Sequence, residues 1–184
     1  KIALEKTKHI SKIVSSAALN AEYGQVLAIG ILDEEGPFIL MANKTTSESD
    51  ILAKFWDMAL KDFQKGLTTW AGHNILGFDL PFLLRRSIIV GVSVPSFLRP
   101  KLGGRYWPDF WLDTMEVWKA GDYRATISLD RFCKASGLEG KNGSGEHFAQ
   151  MFKEDPDKAI EYLENDLLIT HDLAERVVAC LCMN

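Results

Sequence analysis

Apolar and polar positions alternate between two rhythms along this chain, and each rhythm predicts a kind of element. From Tyr23 to Leu32 the residues are almost continuously apolar, Asp33-Glu34-Glu35-Gly36 breaks the run, and Pro37 to Ala42 resumes it. A buried run, a turn cluster and a second short run predict an antiparallel hairpin, with the first strand central in its sheet. After Ser47 the period changes. Ile51, Leu52, Phe55, Met58, Ala59 and Phe63 recur at helical spacing, so a helix is expected from Ser47 to about Lys65, stopped by Gly66. Its acidic start and its Lys61 and Lys65 end suit the helix dipole. Thr68-Thr69-Trp70 reads as the end of a short buried strand, and Gly72, Asn74 and Gly77 mark a tight turn. A helix then begins at Asp79, with Pro81 in its first turn, where the missing N–H costs nothing.

Further on, residues 91–108 are rich in Gly and Pro and predict a long loop, and Phe110 to Met115 predict a short strand leading into Glu116-Val117-Trp118. Ser128 to Ser136 predict a short capped helix ended by Gly137. Residues 139–145 form a Gly-rich polar loop that lacks P-loop spacing. Asp155-Pro156 is a strong helix start, and the periodicity carries that helix to about Cys180. At the other end, Ile10, Ile13, Val14 and Ala17 predict an amphipathic helix. Strands mixed with helices in this order predict an α/β fold of three layers, a mixed central sheet flanked by helices, in one domain spanning residues 1–184.

Composition narrows the class. The 184 residues suffice for a substantial core, and 47% hydrophobic with 25% charged residues is a globular balance. A net charge of −4 argues against binding nucleic acid by bulk electrostatics alone, but it is compatible with an acidic site whose bound cations reverse the local field. Cys133, Cys180 and Cys182 lack metal-ligand spacing and read as reduced packing thiols. With no apolar run of spanning length and no signal peptide, a soluble cytoplasmic protein is expected, without a membrane partner.

The chemistry concentrates in two places. Asp79, at a strand–turn–helix junction five residues after Asn74, is either an N-cap or a carboxylate facing a cleft. In the last helix Tyr162 and Asp166 are four apart, so the phenol and the carboxylate project from one face. Together, Asn74-x-x-x-Phe78-Asp79 and Tyr162-x-x-x-Asp166 resemble the motifs of the DEDD (DnaQ-like, ribonuclease H-fold) 3′–5′ exonuclease superfamily. The likeness is to the Tyr-type branch, especially the proofreading exonuclease domains of family B DNA polymerases and their stand-alone bacterial relatives. The His-type branch would place His where this chain has Glu161. The resemblance covers roughly Gly24 to Val178 and implies a ribonuclease H-like fold.

What the resemblance implies is specific. Asp79 and Asp166 would be metal-binding carboxylates, Tyr162 would orient the attacking water, and Asn74 and Phe78 would shape the site around the substrate. Two Mg²⁺ or Mn²⁺ ions about 4 Å apart would activate water and relieve charge on the leaving oxygen. Hard cations of this kind select carboxylate oxygens, not thiolates. The substrate would be single-stranded nucleic acid, DNA in preference to RNA with RNA as the alternative, released as nucleoside monophosphates. One departure stands out: the family opens with a strand carrying Asp-x-Glu, and no such tripeptide precedes Tyr23. The expectation is that the chain begins after that strand. The alternative is that Ile2-Ala3-Leu4-Glu5 is its degenerate form, with Ala3 in the Asp place and Glu5 retained. Loss of that motif would leave a different class of protein, a catalytically inactive nucleic-acid-binding or interaction module of the same fold.

Lesser candidates carry blander expectations. His73 and His171 read as hydrogen-bonded packing, Asp113 and Glu116 as cap and surface charge, and Arg85-Arg86 as a solvated helix face. Arg99, Lys101, Arg105, Tyr106 and Trp107 interleave base and aromatic in the long loop, a composition suited either to gripping a single strand or to pinning a structural loop.

Overall fold

The computed structural model describes residues 19–66, 69–100, 106–140 and 148–181. The amphipathic segment at residues 10–17, Glu5, Lys101 and Arg105 lie outside the described residues. The hairpin forms as expected: β1 (Ala28–Asp33) pairs antiparallel with β2 (Gly36–Met41), with Ala28 opposite Met41 and Asp33 opposite Gly36. The Asp33 carboxylate accepts from the Glu35 N–H at 2.9 Å and closes the turn.

Helix α1 (Glu48–Gln64) starts at Ser47, whose side chain accepts from Asp50 N–H while the Asp50 carboxylate accepts from Ser47 N–H, a reciprocal capping box. Its buried face is Ile51, Leu52, Phe55, Trp56 and Ala59. Trp56 was not among the expected core positions, whereas Phe63, which was, stays partly exposed. The Trp56 indole N–H donates to the Ser87 hydroxyl at 2.9 Å, which satisfies the one polar atom that burial would otherwise strand.

Strand β3 (Trp70–Gly72) leads through one π-helical turn (Ile75–Asp79) into α2 (Leu80–Val90). Strand β4 (Trp111–Asp113) then gives way directly to α3 (Thr114–Lys119). Strands β3 and β4 pair in parallel, Trp70 opposite Trp111 and Gly72 opposite Asp113. Helices α4 (Leu129–Ala135), α5 (Phe148–Glu154) and α6 (Pro156–Leu181) complete the described elements, and α5 had no counterpart in the sequence expectations. The α6 start is as expected, with the Asp155 carboxylate accepting from Lys158 N–H at 3.1 Å.

The α/β character holds, but among the described residues the strands form two two-stranded sheets, β1–β2 and β3–β4, instead of one mixed sheet. β1 is half-buried along most of its length, less enclosed than its apolar run suggests. Helix α6 spans the two sheets, contacting β1, β2 and β3. Gly30 of β1 makes that approach close: a Cβ at this position would stand 2.9 Å from Leu167 Cδ1.

Aromatic side chains fill the main core. The Phe55 ring lies edge-on to Trp56 and Trp70, with centroids 4.9 and 5.7 Å away, and stacks on Trp111 at 6.5 Å. A second cluster of Leu129, Cys133, Ile169 and Leu173 joins α4 to α6.

One expectation in this region is corrected. Arg86 is not on a solvated face; it is buried and forks onto Glu48, Nε to Oε1 at 2.8 Å and an Nη to Oε2 at 2.7 Å. A third N–H reaches the Ala21 carbonyl, and Glu48 also accepts from Val26 N–H. Burial pushes the Glu48 carboxyl up, yet the Arg86 hydrogen bond, the Val26 N–H and the Arg86 charge outweigh it and hold the group below its ordinary range. Arg85, one position earlier, is the exposed member of the pair.

Candidate active site

The turn after β3 is built on Asn74, a non-glycine residue in the left-handed region at φ 63 and ψ 22. Asn tolerates that conformation better than branched residues do. What holds it is a buried carboxylate from the neighbouring strand. Asp113, 2% exposed at the end of β4, accepts from Asn74 N–H at 2.7 Å and from Leu76 N–H at 2.9 Å. It also accepts from Met115 N–H at 2.8 Å, which caps α3. Gly77 lets the turn close, because a Cβ there would overlap the Asn74 side-chain oxygen.

The chain then winds as a π-helical turn, in which Leu80 N–H reaches back to the Ile75 carbonyl. Single π turns inside helices recur at functional sites. Their consequence here is that Asp79 is already helical, at φ −63 and ψ −55, and makes no capping hydrogen bond. The N-cap alternative for Asp79 therefore fails, because the preceding turn already supplies the bonds a cap would make. Asp79 is exposed at the end of that turn, next to Phe78, which is 37% exposed and leans on the Phe82 ring 5.8 Å away.

His73 is a structural clasp. One ring nitrogen meets the Thr114 hydroxyl at 2.8 Å and the other the Ile127 carbonyl at 3.0 Å. A carbonyl only accepts, so Nε2 carries a proton. The expectation of a hydrogen-bonded packing residue matches this geometry. Asp113 departs from expectation in one respect: it is a cap, as anticipated, but buried, not a surface charge. The sequence signal was there in Phe110-Trp111-Leu112, since an apolar run ending in Asp places that Asp at the end of a buried strand.

The second cluster lies on α6. Tyr162, Asn165 and Asp166 share one face at helical spacing, and the Tyr162 hydroxyl, Asn165 Nδ2 and Asp166 Oδ1 are all shielded from solvent. The Tyr162 ring lies 6.4 Å from Phe148 of α5. Thus Asn74, Phe78 and Asp79 stand on one turn, Tyr162 and Asp166 on one helix face, and that helix packs against β3, the strand feeding the turn. In the long loop, Tyr106 is 80% exposed, whereas Trp107 packs against the core and Leu98 is fully buried beneath the loop. His171 is exposed, 3.6 Å from Asp172.

Asp79 and Asp166 offer oxygen donors of the kind that Mg²⁺ and Mn²⁺ prefer. Among the described residues, no group of three or more His, Cys, Asp or Glu stands close enough to hold an ion. The described residues thus supply donors of the right chemistry without a full ligand set. No helix among them is long and apolar enough to cross a membrane.

No curated protein matches the chain. A family model, described as predicted 3′–5′ exonuclease related to the exonuclease domain of PolB, matches residues 6–179 and leaves Ile2–Glu5 outside the match. The match covers nearly the whole length. The chain belongs to the family of predicted 3′–5′ exonucleases related to the exonuclease domain of PolB.

Proposed function

We propose that the chain is one 3′–5′ exonuclease domain that hydrolyses phosphodiester bonds of single-stranded DNA and releases nucleoside monophosphates. The observation that carries this reading is the inward polar face of α6, with Tyr162 and Asp166 on the helix that packs against β3. In it, Asp79 and Asp166 are the carboxylates that hold divalent cations, Tyr162 orients the attacking water through its hydroxyl, and Asn74 and Phe78 shape the substrate cleft. Exposed Phe78 offers a face on which a terminal base stacks. Two bound Mg²⁺ or Mn²⁺ ions would supply a more acidic water and neutralise charge on the leaving 3′ oxygen.

The same reading takes β1–β2 and β3–β4 as halves of one mixed sheet in a three-layer, ribonuclease H-like domain, with α6 lying across both. The reading requires further carboxylates beside Asp79 and Asp166 to complete the ligand set.

Oligonucleotides labelled at the 3′ or the 5′ end, incubated with Mg²⁺ or Mn²⁺, test the proposal. Immediate mononucleotide release from the 3′ label, with progressive shortening of the 5′-labelled strand, is expected. Release of oligomers would indicate endonuclease action. Binding without cleavage, by a chain that contains the first motif, would favour an interaction module instead.

A further inference from the structure

Resting on the exonuclease reading above, we infer that Asp113 is a positioning residue that sets the Asn74–Asp79 turn and thereby aims Asp79 and Phe78. The carboxylate is buried at the end of β4, directly opposite Gly72 in the parallel register. Its bond to Met115 N–H is an ordinary helix cap. Its bonds to Asn74 and Leu76 are different, because they cross to residues 39 and 37 positions away in sequence.

Those two N–H groups flank the point where the chain enters the π-helical turn. Asn74 sits at positive φ just before it, and Leu76 is its second residue. Without an acceptor, two backbone donors in a partly buried turn would be stranded, and the turn would relax toward a geometry in which they meet water. Such relaxation moves Asp79, because only Gly77 and Phe78 separate it from Leu76. His73 clasps the turn's entry to Thr114 and Ile127, so the whole β3 exit is anchored on the β4–α3 side.

The chemistry calls for a carboxylate. Oδ1 accepts from Asn74 and Met115 together, and Oδ2 accepts from Leu76. An amide would keep one acceptor but set its NH₂ against an N–H donor. A hydroxyl would keep the cap and lose the reach across to the turn. Asp113→Ser therefore separates the cap from the pin.

The experiment compares the full protein with Asp113→Ser and Asp113→Asn, reading single-turnover cleavage, melting temperature and residue-resolved amide exchange. Wild-type protein should protect the Asn74 and Leu76 amides. In Asp113→Ser those two amides should exchange about tenfold faster or more, with the Met115 amide little changed and a modest fall in melting temperature. Turnover should fall by about 100-fold, the scale expected when a reacting group is misplaced by about an ångström. KM for single-stranded substrate should stay within about threefold.

Unprotected Asn74 and Leu76 amides in the wild type would overturn the inference without any variant. Full turnover in a variant whose amides have become unprotected would overturn it too. Should Asp113→Ser fail to fold, the wild-type exchange and Asp113→Asn still decide. If a wild-type protein that contains the first motif cleaves no substrate, the exonuclease reading falls, while the exchange arm still reports whether Asp113 holds the turn.

Discussion

The Tyr162 hydroxyl is the single group whose removal best separates chemistry from binding. Tyr162→Phe keeps the ring against Phe148 and removes only the oxygen. If the hydroxyl orients water, turnover should fall by about a hundredfold or more, with DNA and Mn²⁺ binding nearly unchanged. Unchanged turnover in a rapid-quench assay would reduce Tyr162 to a packing residue. Asp79→Asn should act differently, weakening Mn²⁺ binding as well as turnover, since a ligand oxygen loses its charge. Asp79→Asn should cost little stability, because Asp79 is exposed. That Tyr162 and Asp166 share a helix face was legible in the sequence, because four positions bring two side chains to one side of a helix. Arg86 was not legible, because nothing near it marks Glu48, 38 positions earlier, as its partner.

Among elements, the clamp between the start of α1 and the middle of α2 is the most consequential for stability. Glu48 and Arg86 are both buried, so removing one leaves the other charged and unpaired. Arg86→Met should destabilise the fold by about 3 kcal/mol or more in urea unfolding at pH 7. The pH dependence has a definite sign. The folded Glu48 carboxyl titrates below its unfolded counterpart, so the pair contributes fully above about pH 4.3, and the contribution is lost as pH falls through the folded value. Glu48→Gln should therefore be much less stable than wild type at pH 7, and the difference should narrow toward acid. A gap that stays constant with pH would mean that the carboxylate charge is not what stabilises the pair.

Elements marked by caps were the ones the sequence specified well. Ser47 with Asp50, Ser128, and Asp155-Pro156 each announce a helix start chemically, and each helix begins within a residue of its signal. Strands of three residues carry too little period to define their pairing, so the parallel register of β3 and β4 was not readable. The π-helical turn was equally hidden, because Asn74 and Gly77 mark a turn without saying how Asp79 is wound.

At the scale of the whole molecule, the open issue is how the carboxylate set is completed, and Mn²⁺ calorimetry addresses it. On the exonuclease reading, Asp79 and Asp166 alone bind Mn²⁺ only at high concentration, because two carboxylates leave a pair of ions short of ligands. Tight two-site binding by the 184 residues, abolished by Glu5→Gln, would instead identify Ile2–Glu5 as the acidic strand. Helix α6 has a mechanical consequence for any such site. At 26 residues it is about 39 Å long, and a continuous helix of that length moves as a stiff rod. Its first half carries Tyr162 and Asp166, and its second half is seated by Ile169, Leu173 and Val177. Leu173, about 16 Å along the axis from Tyr162, is thus the far end of a lever. Leu173→Ala should cost about 2–5 kcal/mol, and the rod's altered seating should also slow cleavage at temperatures where the protein is still folded. Substitutions that retune the nuclease would then be found at the α4–α6 contact, remote from every group that meets DNA.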